Sequence, residues 1–313
     1  MTLDLAPLLE RRRTPLTTYR LQLHRGFGFR EAAALADYLA ALGVTDCYTS
    51  PVLQARPGST HGYDITDHGR INAELGGEEG YESFAAALKT RDLGHLLDFA
   101  PNHMAADAAA NPWWRDVLEN GPASLYADHF DIVWNPKKPE LKNKVLLPIL
   151  GDQYGATLER GELQLAFEGG RFSLRTPAGP LPVDPQQAPQ VLRHGLDDLA
   201  RDLGSAPAAA EFLSVLAALE KLPSRSDIQA GRPEARRRES EEARARLERL
   251  AAESPRVRRH IDEALRFFNG IPGEARSFDA LHGLLESQGY RLSYWKAASD
   301  EINYRRFFDI NDL

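Results

Sequence analysis

The sequence has little cysteine, no long apolar run and no excess of positive charge. Cys47 is the one cysteine among 313 residues, so neither an internal disulfide nor a cysteine-based zinc cage can form within the chain. No apolar run approaches the roughly 20 residues that a membrane-spanning helix requires. A formal net charge of −7 argues against nucleic acid or an anionic membrane as the main partner, because binding to phosphate depends on Lys and Arg. A neutral or small ligand is therefore expected.

The remaining composition is that of a soluble globular protein, with 42% hydrophobic and 27% charged residues. In residues 1–13 the arginines follow the apolar part, which is the reverse of a secretory signal, and we therefore expect a cytoplasmic protein. Cys47 lies in an apolar run, which predicts a packed core residue rather than a nucleophile.

Strand and helix patterns alternate over the first hundred residues. Such alternation predicts parallel strands with right-handed crossovers, either in the first part of a β/α barrel or in an open doubly wound sheet. Glycine, serine, asparagine and aspartate predict irregular structure in residues 54–77. The predicted strands are residues 17–23, 44–53 and 95–100, and the predicted helices are residues 30–42 and 78–90.

This alternation stops after Ala105, where the composition changes. Residues 162–177 predict a β-hairpin, and residues 188–269 are helical in composition. In that helical part, Glu241 with Arg244 and Glu242 with Arg246 have the spacing of ion pairs along one helix. We expect an inserted subdomain with boundaries near residues 105 and 290.

Two polar clusters follow predicted strands, at the edge where ligands bind in parallel β/α architectures. Asp98, Asn102 and His103 follow the third strand; alternatively they cap a turn and satisfy local backbone groups. The loop of residues 58–64 follows the second strand and contains His61, Tyr63 and Asp64. It offers the flat ring and directional polar groups that sugars need, although an ordinary surface turn remains an alternative.

Other patterns favour no further ligand. The histidines lack the spacing of a metal site, and the glycine pairs match neither nucleotide-binding pattern. Near the end of the chain, Arg305 and Arg306 lie beside Tyr304 and Asp309. They are interpreted either as a network that contacts substrate or as structural ion pairs, and the composition favours neither reading.

Four stretches together carry a family resemblance. The chain closely resembles maltooligosyl trehalose synthases of the α-amylase superfamily, glycoside hydrolase family 13, and in particular their N-terminal portion. The stretch DFAPNH alone would indicate the superfamily, whereas INYRRFFDIND with GSTHGYD is more specific. The matching stretches are TYRLQL, SPVLQARPGSTHGYDITDH, DFAPNHMA and YWKAASDEINYRRFFDINDL.

The resemblance implies an α/β fold, the N-terminal part of a (β/α)8 TIM barrel with a large, mostly helical B domain inserted after the third strand. Residues 1–104 would form the first barrel units, residues 105–290 the B domain, and residues 291–313 the return segment toward the fourth strand. Such enzymes convert the reducing-end α-1,4 linkage of a maltooligosaccharide to α,α-1,1 without a cofactor or metal. The resemblance also implies functional pairing with a maltooligosyl trehalose trehalohydrolase.

The resemblance assigns substrate contacts to the two clusters. Asp98, Asn102 and His103 match the first superfamily motif, in which the histidine contacts the sugar at the cleavage subsite. Tyr63 matches the aromatic residue that stacks on that sugar, with Asp64 beside it and His61 in the same loop. Our hypothesis is that Trp295, Arg305 and Arg306 face the glucose that is released and trapped during the rearrangement.

The sequence departs from the family in one respect. Retaining enzymes of this superfamily use an aspartate nucleophile in a Gly-x-Arg-x-Asp motif and a glutamate acid/base, and no such motif occurs in these 313 residues. We therefore expect the catalytic carboxylates beyond Leu313 and expect this chain by itself to be catalytically incomplete. We also expect an exposed parallel edge that favours aggregation. The alternatives are another α-glucan transferase or hydrolase of the superfamily, or a non-catalytic glucan-binding module.

Overall fold

The computed structural model describes residues 14–298 and 301–306. These residues divide into two compact units, one ending at Ala106 and the other running from Asp107 to Arg306. No helix among the described residues is both long enough and apolar enough to cross a membrane.

The first unit contains a parallel three-stranded sheet. Its strands are β1 (Thr18–Leu21), β2 (Asp46–Thr49) and β5 (Gly94–Leu97), in the order β1-β2-β5. Thr18 pairs with Asp46, and Asp46 with Gly94, so the carboxyl ends of all three strands lie at the same edge. The three strands and their parallel order confirm the alternation read from the sequence.

Helices cover this sheet through apolar residues at helical spacing. These helices are α1 (Phe29–Ala34), α2 (Ala36–Ala41) and α3 (Gly77–Thr90). The helix predicted over residues 30–42 is therefore two short helices that meet at Leu35. The core that the helices and strands share is a single cluster that includes Leu21, Leu23, Phe29, Leu39, Cys47, Phe84 and Leu88.

The irregular structure predicted for residues 54–77 is partly wrong. β3 (Leu53–Ala55) and β4 (Ile65–Ile71) form an antiparallel pair there, followed by a 3-10 turn at Ala73–Leu75. Turn-forming residues are abundant in this stretch, but β-branched Ile65, Thr66 and Ile71 supply enough strand propensity once the chain can pair with β3. The hairpin places residues 56–64 in the loop between its strands.

The second unit combines two small sheets with a group of helices. β6 (Val145–Leu150) pairs in parallel with β10 (Tyr290–Tyr294). The hairpin predicted at residues 162–177 is confirmed as β7 (Gln164–Glu168) and β8 (Arg171–Thr176), and β9 (Gly179–Pro182) adds a third antiparallel strand.

The helical composition of residues 188–269 is also confirmed. Glu241 pairs with Arg244 at 3.1 Å as predicted, but Arg246 pairs at 2.8 Å with Glu211 of a neighbouring helix instead of with Glu242. The helices are α4 (Pro112–Asn120), α5 (Tyr154–Glu159), α6 (Ala188–Leu192), α7 (Leu196–Leu203), α8 (Pro207–Glu220), α9 (Arg232–Glu253), α10 (Pro255–Phe268), α11 (Asp279–Glu286) and α12 (Trp295–Ala298). Short 3-10 turns lie at Gly121–Ala123, Ala127–His129, Pro139–Leu141, Pro185–Gln187 and Ala275–Phe278.

A buried arginine organises the helical part of the second unit. Arg236 of α9 is 0% exposed and donates to Asn120 at 2.9 Å, to the Pro223 carbonyl at 2.6 Å and to Asp184 at 2.6 Å. Arg225 donates to the other oxygen of the Asp184 carboxylate at 3.2 Å. Because a buried charge is tolerated only when it is paired and hydrogen-bonded, this network fixes how α4, α9 and the segment after β9 pack together.

Candidate functional site

Asp98 is the centre of the polar cluster at the carboxyl edge of the parallel sheet. It follows β5 directly, and its backbone N–H donates to the Thr49 carbonyl at the end of β2 at 3.2 Å. Its Oδ2 accepts hydrogen bonds from the hydroxyl groups of Tyr48, at 2.9 Å, and Tyr63. The half-buried carboxylate therefore joins the end of β5, strand β2 and the loop between β3 and β4.

Arg20 of β1 completes this cluster. One of its Nη atoms lies 4.0 Å from the Asp98 carboxylate and donates to the Tyr63 hydroxyl at 3.3 Å. Its guanidinium also lies over the ring of Tyr48, 5.4 Å from the ring centre. The hydrogen bond to Asp98, followed by burial, raises the pKa of Tyr63, so its phenol stays protonated and remains a donor at neutral pH.

The loop that carries Tyr63 is fixed by hydrogen bonds within itself. The Ser59 hydroxyl donates to Asp64 and accepts from the Gly62 N–H at 3.0 Å, and the Tyr63 N–H donates to His61 Nδ1 at 3.1 Å. His61 stacks on Tyr63 with ring centres 6.0 Å apart and lies 3.9 Å from Asp64. The sequence prediction placed these residues in one loop, and the structure brings their side chains into contact.

Gly62 is required by the position of this loop. Its φ is +79°, a left-handed conformation that residues with a side chain rarely adopt. A Cβ atom added there would lie 2.7 Å from the carbonyl oxygen of Pro51. The loop therefore packs against the backbone after β2 at a distance that no other residue permits.

Asn102 and His103 lie together in the turn after β5. Asn102 is exposed and His103 is buried, and the Asn102 side-chain oxygen lies 3.1 Å from His103 Nδ1. Two residues later, the Ala105 N–H donates to the Ile65 carbonyl at 2.8 Å, directly after Asp64. This bond anchors the Asn102–His103 turn beside the base of the Tyr63 loop, so both predicted clusters belong to one region of the first unit.

Trp295, Arg305 and Arg306 belong to the second unit and are described apart from this cluster. Trp295 is 45% exposed and lies edge-on to Tyr294, with Lys296 over its ring. Arg305 pairs at 3.1 Å with Asp131, and its N–H donates to the Asp131 carbonyl at 3.0 Å. Arg305 therefore forms a structural ion pair, which was one of the two interpretations drawn from the sequence. Asp309 lies outside the described residues.

Arg20 and Tyr48 were missed as site residues from the sequence. Each lies inside a predicted strand rather than after it, where the strand pattern predicts a place in the sheet and not a role in a site. The available signal for Arg20 was its charge at an alternating position of the predicted strand TYRLQL. Such a residue has to find a partner on one face of the sheet.

The described side chains include no cluster of histidine, cysteine, aspartate or glutamate that could hold a metal ion. The cluster instead offers a half-buried aromatic ring, an exposed imidazole and amide, and two carboxylates within one region. A ring face with directional donors and acceptors around it is suited to a sugar ring with several hydroxyl groups.

Comparison with known proteins identifies relatives with carbohydrate chemistry. Residues 34–158 match the family model of the alpha amylase catalytic domain. A curated protein of Mycobacterium tuberculosis described as a maltooligosyl trehalose synthase is 39% identical over 198 residues, covering 58% of this chain and 25% of the relative. An intracellular maltogenic amylase of Bacillus subtilis is 36% identical over 96 residues, covering 31% of this chain and 16% of the relative.

Solved structures extend the similarity over nearly the whole chain. The maltooligosyltrehalose synthase of Arthrobacter ramosus is 26% identical with a TM-score of 0.57, and the match covers 95% of this chain and 27% of that one. Another maltooligosyl trehalose synthase structure is 26% identical with a TM-score of 0.59, covering 96% of this chain and 28% of that one. These matches fit an α/β fold of the TIM-barrel superfamily, and the chain spans only about a quarter of the length of these relatives. The resemblance read from the sequence motifs is thus confirmed: residues 34–158 match the alpha amylase catalytic domain, and the chain is similar to part of the maltooligosyl trehalose synthases.

Proposed function

We propose that this chain supplies one wall of the α-glucan site of a (1→4)-α-D-glucan 1-α-D-glucosylmutase. The observation that carries the proposal is the hydrogen bond of Tyr63 to Asp98 at the carboxyl edge of a parallel sheet, with His103 in the turn that the Ala105–Ile65 backbone bond joins to the base of the Tyr63 loop. Tyr63, Asp98 and His103 are the strand-end cluster. The Tyr63 ring would lie against the C–H face of the sugar. Because two tyrosine hydroxyls occupy Oδ2 of Asp98, its Oδ1 is the oxygen that would accept from a substrate hydroxyl.

The proposed reaction needs one carboxylate as nucleophile and one as acid/base, and no residue among these 313 is assigned either role. We propose that the nucleophile and the acid/base come from polypeptide outside these 313 residues, and that residues 105–290 are the inserted B domain and residues 291–313 the return segment. In the complete enzyme the nucleophile would attack the anomeric carbon and the protonated acid would release the terminal glucose. That glucose would then attack the glycosyl-enzyme through its own anomeric hydroxyl.

Trp295, Arg305 and Arg306 are proposed contacts to the released glucose, with exclusion of water favouring transfer over hydrolysis. For Arg305 such a contact would cost little free energy. Its pair with Asp131 is between exposed groups, and such pairs contribute about 1 kcal/mol or less. In the complete enzyme, Arg305→Ala should raise the ratio of free glucose to trehalose-ended product. An unchanged ratio would remove Arg305 from the proposed site. The product is proposed to pass to a maltooligosyl trehalose trehalohydrolase.

The proposal is tested by incubating the protein with maltopentaose, with NMR detection of an α,α-1,1 linkage. We expect binding without turnover by this chain alone, and turnover when the remaining polypeptide is added. Tyr63→Ala should abolish binding at the strand-end cluster, whereas Tyr38→Ala, which removes a 57% exposed ring from α2, should leave it unchanged. Turnover by the isolated chain would contradict the assignment of the carboxylates. Binding that never leads to turnover, even with the remaining polypeptide, would identify a glucan-binding module instead.

A further inference from the structure

The second unit contains an open cleft that shares no residue with the strand-end cluster. Its volume is about 430 Å³, within the range of about 300–1,000 Å³ that is usual for small-ligand sites. Helix α4, the three-stranded sheet β7-β8-β9 and the segment before α4 enclose it. Its charged lining residues are Arg115, Glu119, Glu168 and Arg171, and its apolar lining includes Phe172 and Leu181.

The base of the cleft is apolar and rigid. Phe172 is 5% exposed and Leu181 is 6% exposed, and both lie in the ladders of the antiparallel sheet. Phe172 pairs with Phe167 across β7 and β8, with ring centres 5.0 Å apart. The apolar patch is therefore preformed and would not need to be ordered when a ligand binds.

Two of the charged groups on the rim are held in place by protein partners. Glu119 is 8% exposed and forms an ion pair with Arg244, which is itself buried. The guanidinium of Arg171 donates to both oxygens of Glu241, at 2.7 and 2.6 Å, and lies 4.0 Å from Glu119. These contacts fix the donors and acceptors of Arg171 and Glu119 before any ligand arrives.

The other two charged groups remain available to a ligand. Within the described residues, the side chains of Arg115 and Glu168 have neither a hydrogen-bond partner nor an ion-pair partner, and both are exposed. They lie on different elements, α4 and β7, and line the same cleft. A ligand could thus accept from Arg115 and donate to Glu168 without breaking a protein contact.

The balance of charge selects the class of ligand. Two arginines stand against two carboxylates, so an anion would meet Glu119 and Glu168 and a cation would meet Arg115 and Arg171. A neutral ligand with many hydroxyl groups satisfies both kinds of group, because each hydroxyl donates to a carboxylate and accepts from a guanidinium. The apolar base would receive the C–H face of a sugar ring.

We propose that this cleft is a second binding site for a short α-1,4-glucan segment. The ligand class rests on the proposed function, and the site itself rests on the cleft, its apolar base and its balanced charges. The strand-end cluster would bind the reacting end of a maltooligosaccharide, whereas the cleft would bind a glucan that does not react.

The test is titration of the protein with maltotriose, followed by calorimetry and saturation-transfer NMR. We expect two classes of binding site. Arg115→Ala and Glu168→Gln each change an exposed side chain, so folding should be unaffected, and each should weaken one class by about tenfold, as expected for loss of one hydrogen bond to a charged group. Arg175→Ala, a change of an exposed arginine on β8 outside the cleft, is the matched control and should leave both classes unchanged.

The outcomes separate the two proposals. If Tyr63→Ala removes all maltotriose binding and the cleft variants change none, the second site does not exist and the proposed function stands. If Tyr63→Ala has no effect but the cleft variants do, the second site stands and the strand-end assignment fails. Displacement of maltotriose by inorganic phosphate at the class sensitive to Arg115→Ala would show an anion site and would overturn the proposal.

Discussion

The phenolic hydroxyl of Tyr63 donates to the carboxylate of Asp98, which joins the loop between β3 and β4 to the end of β5. The same carboxylate oxygen accepts from Tyr48, so one side chain fixes two aromatic rings. The orientation of the ring proposed to stack on sugar is thus set by one oxygen of Asp98, and the other oxygen is the one proposed to accept from the substrate.

Asp98→Asn should release this arrangement without unfolding the first unit. The amide keeps the shape of the side chain but loses the charge, and hydrogen bonds to charged groups contribute about 1.5–3 kcal/mol each. We expect at least a tenfold loss of maltotriose affinity at the strand-end cluster, measured by calorimetry. Asp92→Asn, at an exposed turn before β5, is the control and should bind as the unmodified chain does. Equal affinity of Asp98→Asn and the unmodified chain would show that Asp98 does not position Tyr63.

Cys47 should be inert to thiol reagents while the first unit is folded. It is 0% exposed within β2, and burial raises its pKa to about 11 from a reference of 9.0. The thiolate population at neutral pH falls about 100-fold for a rise of two units, in addition to the steric barrier. The labelling rate with an aromatic disulfide reagent, in the folded state and in urea, measures the difference. Rapid labelling in the folded state would show that the core around β2 opens readily.

His95 should make the first unit less stable in acid. Its pKa is lowered from a reference of 6.5 by desolvation, and its ring lies against Tyr81 and Phe84, with Nε2 2.8 Å from the Thr49 hydroxyl. Because the unfolded chain binds the proton more readily, stability is present above pH 6.5 and is lost as the pH falls from 6.5 through the lowered folded value. Amide hydrogen exchange in β2 and β5 between pH 8 and pH 5 measures this, once it is corrected for intrinsic exchange rates.

The matching variant is His95→Gln, which cannot gain a proton. Its stability should be lower at neutral pH, because the ring contacts are lost, but it should depend less on pH over the same interval. A slope as steep as that of the unmodified chain would assign the acid sensitivity to another group.

Arg236→Met should destabilise the second unit strongly. The change removes the closer of the two arginines that pair with buried Asp184 and leaves Arg225 as the other, and breaking a buried pair from one side costs up to about 3–5 kcal/mol. Urea unfolding followed by far-ultraviolet circular dichroism should show that loss. Arg237→Met, at the next and exposed position of α9, should change the unfolding free energy by less than about 0.5 kcal/mol. Similar values for both variants would mean that Arg236 contributes through helix propensity alone.

The elements that were predicted well are those whose pattern is local. β1, β2 and β5 carry alternating or apolar runs, α3 places Phe84 and Leu88 one turn apart, and the β7–β8 hairpin has Gly169 and Gly170 at its turn. The β3–β4 pair was missed because its strands are separated by a nine-residue stretch of turn-forming residues, residues 56–64, and their pairing is a tertiary choice.

The site residues divide in the same way, into those that a local pattern predicts and those that depend on tertiary packing. Tyr63 and Asp98 were predicted because each follows a strand, but the bond between them depends on how far the loop folds back over the sheet. Arg20 and Tyr48 were missed because a strand pattern says which face a side chain takes and not which partner it meets. In the second unit, Arg246 likewise pairs with Glu211 of a neighbouring helix and not with Glu242 of its own helix, as helical spacing had predicted.

The loop of residues 56–64 closes on itself through side-chain and backbone hydrogen bonds, from the Arg56 N–H to the Asp64 carbonyl and from Ser59 to Asp64. We expect a loop closed in this way to keep one conformation rather than to open and close. A sugar would meet it already shaped, so the rate of capture should follow diffusion and ligand concentration in a single kinetic phase, without a slower step of induced fit.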